Sequence, residues 1–185
     1  MNIFPPKDDS LLLLVDFQTG FLKPFKSEVK KSLEEKLTLL IETCKFYKIP
    51  IVVMEQNNEK LGNTTEKIQK VLGEHYKPNN KFIFSGYRDE NIRNSLEESK
   101  KSNIILCGIE THICVLQTTM DLLNRNYNVH IIADAVGSRF KFDWEAGLEK
   151  LKEIGANMLT VEMLLFGYLE TSSSKDFKHF LPFLK

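Results

Sequence analysis

Short apolar runs recur along this chain, and each is separated from the next by a segment long enough to form a helix. The runs are Leu11–Val15, Ile51–Met54, Ile104–Leu106 and Val129–Ala133. Uninterrupted apolar stretches of this length mark strands buried on both faces. Between them, apolar residues fall at helical spacing. Leu33, Leu37, Leu40, Ile41 and Cys44 share one face after Ser27, and Ile92 and Leu96 line the inner side of Glu90–Lys100. Leu116, Thr119, Leu122 and Leu123 form a third stripe; Trp144, Leu148, Leu151 and Ile154 form a fourth, closed by Gly155. The polar stretch Glu55–Asn80 predicts a loop with a short helix at Ile68–Leu72, and Phe82–Phe84 is a brief apolar segment just after Lys81. Asn157–Val161 predicts a last strand and Met163–Leu169 a last short helix. Five or six such units, without linker or repeat, predict one domain over residues 1–185. Its expected class is α/β: a three-layer αβα architecture with a mostly parallel, doubly wound sheet. A chain of 185 residues is long enough to bury roughly 70 % of its unfolded surface without staples.

Charge and cysteine content exclude several classes. Lysine plus arginine equals aspartate plus glutamate, 25 against 25, so net charge gives no case for nucleic acid or an anionic membrane. Cys44, Cys107 and Cys114 contain no C-x-x-C pair and do not make a disulfide framework. His75, His112, His130 and His179 show no metal-ligand spacing, so neither a metal nor another cofactor is expected. The first residues show no signal peptide, and no apolar run is long enough to span a bilayer. The expectation is a soluble protein of a reducing compartment, most simply the cytoplasm.

Open parallel sheets bind ligands beyond the carboxyl ends of their strands. That rule selects Asp16, Glu55 with Gln56, Glu110 to Cys114, and Asp134. In the run Gly108-Ile-Glu-Thr-His-Ile-Cys114 a strand ends at a glycine turn, and the cysteine opens an amphipathic helix. A thiol there meets unpaired N–H groups and the positive end of the helix dipole, which favour thiolate and an adjacent oxyanion. The alternative is that Cys114 is a small buried hydrophobe. Asp16 and Asp134 read equally as turn or cap residues, and Lys81 as a surface charge.

Several segments, in order, resemble the isochorismatase-like cysteine hydrolases. They are Leu14-Val-Asp16-Phe-Gln18 with Phe21, Lys81 with Phe84-Ser85, Gly108-Ile-Glu-Thr-His-Ile-Cys114-Val-Leu-Gln-Thr118, and Ala133-Asp-Ala135 with Ser138-Arg139. The resemblance implies a catalytic triad of Asp16, Lys81 and Cys114. It also implies a cis peptide between Ile109 and Glu110, with the amides of Glu110 and Cys114 forming the oxyanion hole. Chemistry agrees with those roles: Lys81 would lower the thiol pKa, Asp16 would take its proton, and a thioester would follow. Nicotinamidases of this family carry an Asp-x-His after the second strand, which Glu55–Thr64 lacks. The resemblance is therefore to the metal-free subgroup.

Phe17, Phe21, Phe84, Tyr87 and Ile113 are candidates to line a substrate pocket, with core packing as the alternative for most of them. Arg88 or Arg139 would meet a substrate carboxylate, or else form surface ion pairs. The expected activity is cleavage of an amide-type C–N bond in a small molecule; the alternative is a scaffold that keeps the fold and an oxidisable thiol. The apolar tail, Met163–Leu169 and then Phe177–Leu184, predicts a homo-oligomer, or else packs back on its own domain.

Overall fold

The computed structural model of the chain describes residues 3–184, so Met1, Asn2 and Lys185 of the expected domain lie outside the described residues. In chain order the elements are β1 (Ser10–Val15), α1 (Thr19–Leu22), α2 (Ser27–Phe46), β2 (Ile51–Gln56), α3 (Asn58–Leu61), α4 (Glu66–Leu72) and β3 (Pro78–Lys81). Then follow α5 (Glu90–Ser99), β4 (Asn103–Ile109), α6 (Leu116–Leu123), β5 (Asn128–Gly137), α7 (Lys141–Glu153), β6 (Asn157–Leu159), α8 (Val161–Leu169) and α9 (Phe177–Phe180). The strands form one sheet in the order β3-β2-β1-β4-β5-β6. Every pairing is parallel, so the sheet is wholly rather than mostly parallel. Chain direction reverses around β1, whose neighbours are β2 and β4, and the crevice of such a sheet opens there.

Period-two alternation along β1 divides the core. Leu12 and Leu14 join α2, α4 and α8 on one face, while Leu11, Leu13 and Val15 join α5, α6 and α7 on the other. Cys44 and Cys107 are fully buried in the first of these cores. Two boundaries differ from the sequence expectation. The third strand is Pro78–Lys81, and Phe82, Ile83 and Phe84 after it are exposed loop. An edge strand tolerates Pro78 at its first position because no ladder donor is required there. The last strand stops at Leu159, because the Thr160 hydroxyl accepts from Met163 N and caps α8.

The tail packs on its own domain. Phe180 is 0 % exposed within the α2 and α8 core, with Phe177 and Leu184 against it. Other side chains of the tail are less covered: Met163, Phe166, Leu181 and Phe183 remain 37–46 % exposed. Among the described residues no helix is long and apolar enough to cross a membrane.

Candidate active site

Asp16 follows β1 with φ of 47°, a left-handed conformation that aspartate tolerates better than most residues. Its N–H donates to Met54 O of the neighbouring strand. Lys81 closes β3, and in register its partner is Gln56 at the end of β2. These positions bring Lys81 Nζ to 2.8 Å from Asp16 Oδ2 and 2.7 Å from Gln56 Oε1, with a longer bond to Phe84 O at 3.4 Å. Asp16 and Lys81 are both 0 % exposed. A lysine in that environment is no solvated surface charge.

The third group enters from β4. Gly108 has φ of 113°, and a Cβ there would fall 2.0 Å from Val15 O, so only glycine allows β4 to pass so close to β1. The next peptide, Ile109–Glu110, is cis. Thr111–Val115 then forms a wide π-helical turn, with Val115 N donating to Glu110 O at 3.2 Å, before α6 begins at Leu116. Cys114 thus sits inside that turn rather than opening the α-helix. Helix α7 seats against it at Gly147, where a Cβ would lie 3.1 Å from His112 N.

Cys114 is 3 % exposed, and its thiol interacts with the Asp16 carboxyl. Asp16 Oδ1 has no fully formed hydrogen bond, which leaves it as the oxygen available to the thiol proton. Burial pushes the Cys114 thiol well above its ordinary range, Asp16 adds to that, and Lys81 opposes it. The expected lowering by Lys81 is therefore outweighed by burial. Burial also raises Asp16, with Lys81 holding it down through charge and hydrogen bonding.

Residues at the ends of β1 and β2 support the centre through contacts that their position in the sequence did not specify. The Gln18 amide clamps the end of β2: its Oε1 accepts from Gln56 N at 2.6 Å, and its Nε2 donates to Gln56 O at 3.0 Å. With its backbone so held, the Gln56 side chain accepts from Lys81 and donates to Phe82 O. Glu55 is buried and accepts from Thr64 N and Oγ1 and from the Tyr76 hydroxyl at 2.7–2.8 Å. The only signal for these residues was position, at or just beyond the ends of β1 and β2.

The five proposed lining residues sit in different surroundings. Phe17 is wholly within the core; Phe21 and Ile113 pack against opposite cores; Phe84 is exposed. Tyr87 stacks edge-on against Tyr127, and its hydroxyl donates to Glu97. Arg88 is taken by Asp121 at 2.7 Å, and Arg139 Nε bonds the buried Glu110 carboxylate at 2.8 Å. Asp134 accepts from Val161 N at the start of α8 and pairs with Lys36, a capping role outside the centre. Among the described residues no group of three or more His, Cys, Asp or Glu is placed to hold a metal.

Fold and strand-end residues together define a three-layer αβα architecture with a buried Asp16–Lys81–Cys114 centre at the carboxyl ends of its strands. Residues 10–163 match the family model described as Isochorismatase domain, and the chain belongs to that family. It is 34 % identical to Isochorismatase family protein 1A of Dictyostelium discoideum over 188 aligned positions, covering 98 % of this chain and 87 % of that one. A structure described as the MAR1 ribonuclease of Caenorhabditis elegans superposes with a TM-score of 0.88 at 31 % identity, covering 98 % of this chain and 92 % of the other. The YcaC product of Escherichia coli, described as an octameric hydrolase of unknown specificity, shares the fold. Its TM-score is 0.81 at 16 % identity, covering 87 % of this chain and 79 % of that one. The chain is accordingly a hydrolase of the isochorismatase family.

Proposed function

We propose that this hydrolase cleaves an amide-type C–N bond of a small molecule through a thioester on Cys114. The observation that carries the reading is the convergence, out of water, of Lys81 Nζ on Asp16 Oδ2 at 2.8 Å with the Cys114 thiol on the same carboxyl. In this reading Asp16 Oδ1 takes the thiol proton as sulfur attacks the carbonyl carbon. A raised carboxyl pKa makes Asp16 a stronger base for that transfer. Lys81 meets the charge that develops on sulfur. The backbone amides of Glu110 and Cys114 hold the tetrahedral oxyanion. Asp16 returns the proton to the leaving nitrogen, the C–N bond breaks, and the amine departs. Water, deprotonated by Asp16, then attacks the thioester; the C–S bond breaks, Asp16 returns that proton to the Cys114 sulfur, and the acid leaves.

No metal or other cofactor takes part in this scheme. The stretch Glu55–Thr64 contains no histidine and no Asp-x-His. The relative described as a ribonuclease raises a nucleic-acid reading, which the 25-to-25 charge balance and the closed, buried triad disfavour. A scaffold role, with Cys114 as a mere thiol, is the second reading, and the near-complete burial of that residue is what favours it. Free thiols at Cys44, Cys107 and Cys114 suit a reducing cytoplasm. A homo-oligomer also belongs to this reading, supported by Phe140 and Phe142 at 65 % and 78 % exposure and by the octameric relative; light scattering finding a monomer would remove it.

The deciding experiment is a panel of small amides and imides assayed for ammonia release, beside Cys114→Ala and with and without a chelator. The reading expects release that Cys114→Ala abolishes and the chelator leaves unchanged. Release that survives Cys114→Ala would overturn it.

A further inference from the structure

Ser138 and Arg139 leave the carboxyl end of β5 beside the turn that carries Cys114. In register Gly137 pairs with Ile109, so the exits of β5 and β4 run side by side. Two contacts tie these exits together. Ser138 Oγ lies 2.9 Å from His112 Nδ1, and Glu110 Oε1 accepts from Arg139 N at 3.0 Å and from Arg139 Nε at 2.8 Å. Glu110 is 2 % exposed, and its carbonyl accepts from Ile113 N and Val115 N, so it opens the turn around the thiol.

A buried carboxylate thus stands at the base of the turn that presents the sulfur. Burial and Asp16 raise the Cys114 thiol, Lys81 opposes them, and the Glu110 carboxylate raises it further. Lys81 Nζ is 2.8 Å from Asp16 Oδ2 and answers that carboxyl first. His112, in the same turn, faces Ser138 and, at 3.9 Å, Asp143 of α7. The cation on Glu110 is Arg139. An uncompensated charge on Glu110 would oppose a thiolate at Cys114. In the proposed scheme it would also oppose the oxyanion held by the amide of the same residue.

We propose that Arg139 is a positioning residue that serves the reaction centre through Glu110: its backbone N–H holds the carboxylate in place, and its guanidinium cancels the charge that would otherwise weaken Cys114 as a nucleophile. The inference rests on Cys114 being the nucleophile of the proposed function. Solvent reaches 43 % of the Arg139 side chain, so part of its charge is screened and the effect is several-fold rather than hundred-fold.

Alkylation of Cys114 by iodoacetamide, an uncharged probe, reads the thiolate across pH without any substrate. Arg139→Gln should slow it about fivefold at each pH, a displacement of roughly 0.7 pH unit. Arg139→Lys, which keeps a cation, should recover most of the rate. Glu110→Gln keeps an acceptor for both Arg139 donors but removes the negative charge, so it should react about fivefold faster than wild type. A tie that only braces the fold predicts the opposite sign for Arg139→Gln, because loosening the turn uncovers a sulfur that is 3 % exposed. Faster labelling of that variant would therefore overturn the proposal, as would an Arg139→Lys rate as slow as that of Arg139→Gln. Should circular dichroism show Arg139→Gln unfolded, Glu110→Gln decides alone, and its failure to accelerate labelling would overturn the proposal. Displaced rates with no amide cleaved would keep the role of Arg139 and remove the amidase reading; cleavage with undisplaced rates would do the reverse.

Discussion

Lys81 Nζ lies 2.8 Å from Asp16 Oδ2, and neither side chain touches solvent. Two charges drawn from strands that are not adjacent, β1 and β3, are thus held together in the interior by the intervening β2 and its Gln56. Removing one partner leaves a buried charge uncompensated, and that costs about 3–5 kcal/mol. Lys81→Met should therefore lower the urea midpoint severely. The double variant Asp16→Asn with Lys81→Met should recover part of the loss, because no lone charge remains. Lys81→Met with wild-type stability would show that the pair does not exist in solution.

The thiols should differ in accessibility more than in acidity. Cys44 and Cys107 are fully enclosed in the core, and burial raises both, whereas Cys114 keeps a small exposed area beside Lys81. Mass-mapped iodoacetamide labelling of the native protein should modify Cys114 first. Because its thiol is held above the ordinary range, the rate should climb about tenfold per pH unit from neutrality into mild alkali, without a plateau. Labelling that favours Cys44, or a plateau already reached at neutral pH, would contradict this.

Parts of this centre were legible from local pattern, whereas the grouping of Lys81 with Asp16 and Cys114 was implied only by the resemblance. A buried strand ending in Asp16, a glycine-marked exit from β4 before Cys114, and the order of these motifs all depend on nearest-neighbour pattern. The direction of the thiol pKa was not legible, because it depends on how completely α6, α7 and the Lys81 loop close over the sulfur. The Gln18–Gln56 clamp was hidden for a similar reason: periodicity places a residue on a face but does not say which amide its side chain will meet. For Phe17 the core-packing alternative holds, and Tyr87 turns toward Tyr127, because an aromatic near a site in sequence can turn into the core or toward another helix.

Gly108→Ala should be among the most damaging single-methyl additions in this protein. The new Cβ would fall 2.0 Å from Val15 O on a backbone with φ of 113°, and the obstacle is main chain rather than a movable side chain. The strained conformation alone costs of order 1–3 kcal/mol, and the clash adds to it by forcing β1 and β4 apart. Thermal unfolding should show a large drop or failure to fold. A near-neutral result would mean that the strands relax more freely than the register at Val15 and Gly108 implies.

His130 gives the fold a specific acid sensitivity. It lies in β5, and burial lowers its pKa from 6.5 to about 4. Asn103 donates through Nδ2 to Asp9, so its Oδ1 is left to accept from His130 Nε2, and His130 Nδ1 has no partner. Below pH 6.5 the unfolded chain binds a proton that the folded chain refuses until about pH 4. Stability attributable to His130 is therefore full above that window and is lost as pH falls through it, by about 3 kcal/mol in total. The raised Asp16 works in the opposite sense, so the comparison must be between proteins that differ only at 130. Urea midpoints should fall less steeply with acidification in His130→Gln than in the wild type. Parallel slopes would mean that the imidazole is protonated in the folded state.

Phe180 decides what the carboxyl-terminal segment does. A surface strip waiting for another subunit would leave its aromatic side chains half in water. Instead Phe180 is 0 % exposed, with its ring 5.1 Å from that of Phe46 and 6.2 Å from that of Tyr47, both at the end of α2. Tyr47 also meets Tyr168 edge-on at 5.4 Å, with the Lys7 ammonium 4.3 Å above the Tyr47 ring, so α9 closes a cluster that ties the start of the chain to α2 and α8. Truncating a buried phenylalanine to alanine costs about 3–5 kcal/mol when the cavity cannot collapse. Phe180→Ala should lose stability on that scale, and a chain stopped after Glu170 should lose at least as much, without a change in assembly state beyond that caused by unfolding. A truncated protein that stays folded at wild-type stability while becoming a smaller species would instead assign the segment to an interface between subunits.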